Sequence, residues 1–108
     1  MNIAQIAKMA QQVQAQMAQA QEELKETTLE VTAGGGAVRI VITGAQEVRH
    51  VQIDPSAVDA DEVEMLQDLV MSAMNEAIGR SKALERERMS SIAGGMGLPG
   101  MPGLPGFG

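Results

Sequence analysis

The 108-residue chain contains no cysteine, tryptophan or tyrosine, and a single phenylalanine, Phe107. Without thiols there is no disulfide scaffold, no thiolate zinc site and no cysteine nucleophile, and the composition fits a reducing compartment. With that one aromatic ring next to the C-terminus, the chain offers no platform on which splayed bases could stack. One histidine, His50, is present, and a lone histidine on a predicted strand reads as an edge residue. Ser56, Ser72, Ser81, Ser90 and Ser91 lie in no nucleophile motif, so no active site is expected. No run approaches the roughly 20 apolar residues that span a bilayer, and the N-terminus lacks the pattern of a signal peptide; a cytoplasmic protein is expected. A chain this short buries a low fraction of its surface, and with neither disulfide nor metal to brace it, a homodimer is the first expectation.

What is present divides by period. Over residues 3 to about 26, Ile6, Ala10, Val13, Met17, Ala20 and Leu24 recur at alternating steps of four and three, the seam of a helix that packs on another helix. Gln5, Gln11, Gln12, Gln16, Gln19 and Lys8 lie outside it. From Thr27 the pattern shortens to "TLEVTA", "AVRIVIT" and "EVRHVQI", three β-branched segments separated by "GGG" and "GAQ", which predict antiparallel strands over about 27–53. Val38, Ile40 and Ile42 share one face, as do Val51 and Ile53. The glycine run reads as a hairpin turn, since the Lys-Ser/Thr and helix N-terminus of a phosphate loop do not follow.

Asp54-Pro55 then turns the chain, and Asp59 with Glu62 resembles a capping box opening a second helix over about 60–92. Leu66, Val70, Ala73, Ala77 and Leu84 form its stripe. The acids Asp59, Asp61, Glu62 and Glu64 lack the loop glycine and alternating oxygens of a calcium hand, and no metal or cofactor is expected. Some 30 residues would reach roughly 45–50 Å, against about 30 Å for a compact domain of this size, so the helix must overhang its sheet. Residues 93–108 repeat Leu/Met-Pro-Gly and read as an extended arm or flexible tail whose apolar side chains could dock on a partner subunit.

Charge is distributed unevenly about a net of −6. Residues 59–78 carry Asp59, Asp61, Glu62, Glu64, Asp68 and Glu76 with no base, whereas Arg80, Lys82, Arg86 and Arg88 crowd the end of the second helix. Such a cluster suits the helix C-terminus electrostatically, and pairs of Lys82 with Glu85 or Glu85 with Arg88 would help to solvate it.

The order helix, three strands, long helix, with "LEVTAGGG", "VQIDPS", "EMLQDLV", "NEAIGRSKALERERM" and "GGMGLPG", resembles the YbaB/EbfC nucleoid-associated protein family over nearly the whole chain. That resemblance implies an α+β fold with an α-β-β-β-α protomer, a single domain over 1–92, and a tweezer-like homodimer joined through its sheets. It also implies non-enzymatic binding to double-stranded DNA in bacteria, at the nucleoid, with a role in its organisation and in gene expression. Under it, Arg80, Lys82, Arg86, Arg88 and Lys8 become the expected phosphate contacts, with Lys25, Arg39, Arg49 and His50 as lesser candidates. The residues alone also allow a protein-interaction module that uses the heptad seam, the acidic segment or the Pro-Gly tail.

Overall fold

The structure, a computed structural model, describes residues 2–95. Helix α1 (Ile3–Glu26) is followed by strands β1 (Thr28–Ala33), β2 (Val38–Thr43) and β3 (Val48–Ile53), a single 3-10 turn (Pro55–Ala57) and helix α2 (Val63–Gly95). The strands form one antiparallel sheet in the order β1-β2-β3, so the expected α-β-β-β-α protomer is the observed one.

Local chemistry sets the ends of α1. Asn2 caps it: its side chain accepts from the Gln5 N–H at 2.7 Å while the Gln5 side chain accepts from the Asn2 N–H at 3.2 Å, a reciprocal box that satisfies two otherwise orphaned donors. At the other end Thr27 turns extended and donates its N–H to the Glu23 carbonyl at 3.0 Å. The Gly44 N–H reaches the carbonyls of Leu24 at 3.0 Å and Thr27 at 2.9 Å, and the Arg49 guanidinium reaches that of Lys25 at 3.0 Å. The sheet thereby caps the helix.

In the first hairpin Gly34, Gly35 and Gly36 all have positive φ, from 64° to 100°, a region open to glycine and strained for other residues. A Cβ on Gly34 would also stand 2.9 Å from Leu69 Cδ1. The run is a tight β1–β2 turn, as its sequence predicts.

The core is thin. Val31, Val38, Ile40, Ile42, Ala73 and Ala77 are buried between the sheet and α2, with Leu29, Leu66, Leu69, Val70 and Met74 packed around them. Each buried Val or Ile contributes about 1.5–3 kcal/mol. Helix α2 lies across β1 and β2, and every residue of β3 is exposed.

A bulge in β3 enlarges what is left uncovered. Val51 stands opposite Ile40 and Ile53 opposite Val38, but the register slips so that His50 faces Val41 while Val48 faces Ile42. Simple alternation would put Val48 on the other face; the extra residue, Arg49, returns it to the side of Val51 and Ile53.

Two expectations about α2 need correction. It starts at Val63 because Asp59 does not cap it: the Asp59 carboxylate accepts from the Asp61 N–H, and its carbonyl from the Glu62 N–H, closing a separate turn. It also continues through residues 93–95, where the arm was expected to begin. The rest of that arm, 96–108, lies outside the described residues. Just before the turn, Asp54 accepts hydrogen bonds from the Ser56 backbone and side chain, which hold its carboxyl below the usual carboxylate range. At 33 residues α2 is about 50 Å long, and the principal extents of 69 × 27 × 16 Å accord with helices that overrun a sheet of six-residue strands.

Candidate nucleic-acid interface

The rotation of α2 about its axis is fixed by one buried hydroxyl. Ser81 lies in line with Ala77 and is fully buried; its Oγ donates to the Thr43 carbonyl at 2.6 Å and accepts from the Gln46 N–H at 3.1 Å and the Gln46 Nε2 at 3.0 Å. Gln46 has φ 61°, a left-handed conformation uncommon for a non-glycine residue. Ser81 thus ties the β2–β3 turn to the helix at the centre of the basic segment. Ser81→Ala is expected to cost about 1–3 kcal/mol, because it strands buried backbone partners. Thermal or denaturant unfolding measures this.

With Ser81 inward, about 100° per residue puts Lys82 and Arg86 on the outward face, one turn and about 6 Å apart. Both are exposed. Among the described residues neither forms an ion pair, and nor does Lys8, an exposed residue two turns into α1.

The other cations are engaged. Arg80 pairs with Glu76 one turn back at 3.1 Å. Arg88 pairs with Glu23 of α1, and beside it Gln21 donates to Glu85 at 3.5 Å. These partners replace the expected Lys82–Glu85 and Glu85–Arg88 pairs, and they clasp the two helices. Each ion pair is about half exposed, so each contributes no more than about 1 kcal/mol. A phosphate can displace the carboxylate.

The lesser candidates lie elsewhere. Lys25 pairs with Glu22 at 3.1 Å and Arg49 with Glu47 at 2.8 Å, both near the end of α1. Arg39 bonds to Glu30 at 2.6 Å and Gln52 at 3.1 Å. Arg39 and His50 alternate with the core residues and lie on the face of the sheet away from α2. An open groove beside Arg88 is lined by Leu24 and Leu84 together with Glu22, Glu23 and Glu26. Its carboxylates make this side less favourable to an anion than the outer side of α2, where Lys82 and Arg86 stand exposed. Among the described residues no cluster of three or more His, Asp or Glu could hold a metal ion, and no helix is long and apolar enough to cross a membrane.

An α+β protomer with exposed cations on the outward face of an overhanging helix presents a surface suited to an anionic partner such as nucleic acid. Residues 1–96 match the YbaB/EbfC DNA-binding family, and the chain belongs to it. It is a DNA-binding protein, not an enzyme. Among its relatives, a nucleoid-associated protein of Ruminiclostridium cellulolyticum is 47% identical over 96 residues, covering 89% of this chain and 84% of the relative. One of Chloroflexus aurantiacus is 48% identical over 89% of this chain and 96% of its own length. A crystal structure of the uncharacterized protein HP0035 from Helicobacter pylori matches with a TM-score of 0.72 at 25% identity, over 81% of this chain and 91% of that one.

Sequence reasoning passed over Gly44, Glu23 and Glu76, and it saw Ser81 only as a serine in no nucleophile motif, in line with Ala77, without the anchoring contacts it makes. Ser81 carried a usable signal: a lone hydroxyl in the apolar stripe between Ala77 and Leu84.

Proposed function

We propose that this chain is a homodimeric, nucleoid-associated protein of bacteria that holds double-stranded DNA through backbone phosphates and thereby contributes to nucleoid organisation and gene regulation. One observation carries the phosphate reading: Lys82 and Arg86 stand exposed on one outward face with no carboxylate partner among the described residues. Arg80 and Arg88 join them when phosphate displaces Glu76 and Glu23, and Lys8 adds a contact from α1. Among the described residues no helix-turn-helix or aromatic platform supports base readout, so sequence preference is weak. Nucleoid-associated relatives support the cellular role.

The dimer reading rests on unfinished apolar burial. Val48, Val51 and Ile53 are exposed on the face of the sheet that α2 covers elsewhere. On α2, Ser81 reaches the β2–β3 turn, and Met71, Met74 and Ile78 lie further round that same flank. Leu69, which borders Gly34 in the β1–β2 turn, lies on the other. A second copy docked on this flank and β3 would complete both cores and duplicate the basic face.

A mobility-shift titration on two unrelated duplexes at two salt concentrations tests the function. Similar affinities that fall steeply with salt are expected; binding that persists at about 0.5 M salt would contradict phosphate contacts. Val51→Asp is expected to halve the mass measured by light scattering while leaving the protomer folded, since Val51 is about half exposed. It should weaken DNA binding at least about tenfold through loss of the second set of contacts.

A further inference from the structure

Coverage of the α1 seam decays along its length. Leu24 and Ala20 are buried, at 2% and 1% exposed, but Met17 is 36%, Ile6 52% and Ile3 85% exposed. The apolar repeat runs unbroken from Ile3 to Leu24 in steps of three and four, and although Met9 and Val13 are half-buried, Ile3, Ile6 and Ala10 in its N-terminal half are exposed. The sequence of this half is shaped for a helical partner rather than for water.

Its flanks indicate which partner. In the heptad that places Ile3, Ala10 and Met17 at one seam position and Ile6 and Val13 at the other, the bordering residues are Ala7, Met9, Gln14 and Gln16, all uncharged. Between residues 2 and 21 the only charge is Lys8, which occupies the outermost heptad position. Two copies of this segment therefore bring no like charges together at the rim. Small alanines at the seam permit close approach, and glutamine side chains can hydrogen-bond to one another across it. A strongly charged partner would find no complement here.

We propose that the N-terminal half of α1 is a self-association surface on which the same half of α1 from a second copy docks. The contact is continuous with the α1–α2 packing that buries Ala20 and Leu24, and it is separate from the β3 face, so it joins assemblies already formed through their sheets. Only about two heptads are available and short helical contacts are weak, so pairing in solution requires high concentration. On DNA, many bound copies raise the local concentration and make the same contact effective, tying one stretch of duplex to another. The surface does not depend on the phosphate contacts.

The test is sedimentation equilibrium of the full chain from about 10 µM to about 1 mM, a range suited to weak contacts, beside Ile3→Gln/Ile6→Gln, which keeps helix-forming residues and the net charge. The wild-type mass is expected to rise toward twice its dilute value, while the double variant keeps the dilute value and its circular dichroism. Affinity for a short duplex, measured separately, should match wild type within about twofold, so a failure of the DNA reading is recognised independently of this one. A wild-type mass that never exceeds its dilute value, or a variant that doubles as readily, overturns the proposal. So does a variant whose mass falls to half the dilute value, because the seam would then be the primary interface.

Discussion

Replacing Lys82 and Arg86 together by glutamine is expected to weaken binding to duplex DNA by about three orders of magnitude at about 0.1 M salt and to lower the slope of log K against log salt by about 3 to 4. The magnitude follows from counterion release. Each phosphate neutralised contributes about 0.9 to the slope on B-form DNA, and in the proposed dimer two residues from each of two protomers would make four contacts. Stability should change little, because both side chains are exposed and make no ion pair among the described residues. Arg88→Gln provides the contrast. Its guanidinium is held by Glu23 across the helix pair, so its loss should cost less binding, while removing Glu23 instead should free Arg88 and strengthen binding. Fluorescence anisotropy across a salt series measures both, and equal losses for the two kinds of variant would show that pairing does not rank these cations.

The same substitution at two glycines is expected to act with opposite sign. Gly44 is buried where the β2–β3 turn meets α1; a Cβ there would lie 2.6 Å from Leu24 Cδ2 and 3.2 Å from the Leu24 carbonyl oxygen. Leu24 is 2% exposed, and the carbonyl oxygen belongs to the backbone and cannot move aside on its own, so Gly44→Ala overpacks the joint. It also strains the Gly44 N–H bonds to Leu24 and Thr27. A cost of about 1–3 kcal/mol is expected, a fall of roughly 4–20 °C in Tm for a domain of this size. Gly79 lies within α2, beside Arg80, and a Cβ there would meet nothing within 4 Å. Gly79→Ala relieves the helix of a poor former and is expected to stabilise by about 0.5–1 kcal/mol. Calorimetry of the two variants checks the pair, and a Gly44→Ala protein as stable as wild type would mean that α1 is not seated as described.

The elements were legible in the sequence because each is carried by a local period. The heptad steps from Ile6 to Leu24 mark α1, "TLEVTA" coincides with β1, and the glycine run marks the first turn. The bulge at Arg49 was not legible, since alternation alone assigns Val48 to the wrong face and only the pairing with Ile42 corrects it. Nor was the start of α2: Asp59 and Glu62 have the spacing of a cap, but that spacing also suits the separate turn they form.

For the basic face, sequence placed Arg80, Lys82, Arg86 and Arg88 together at the end of one helix. It did not separate the unpaired cations from the paired ones, because Glu23 is 65 residues from Arg88 and no local rule connects them. A helix wheel also leaves open how far α2 is rotated. The Ser81 hydroxyl settles that through contacts with Thr43 and Gln46, 38 and 35 residues away.

The account stands most directly on an amide NMR titration of the isotope-labelled full chain with a duplex of about 20 base pairs, a length that exceeds one helical turn of DNA. Shift changes are expected to concentrate from Gly79 to Ser90, strongest around Lys82 and Arg86, with smaller ones near Lys8. Changes centred on Asp59–Asp68, or on Arg39 and His50 across the sheet, would contradict it.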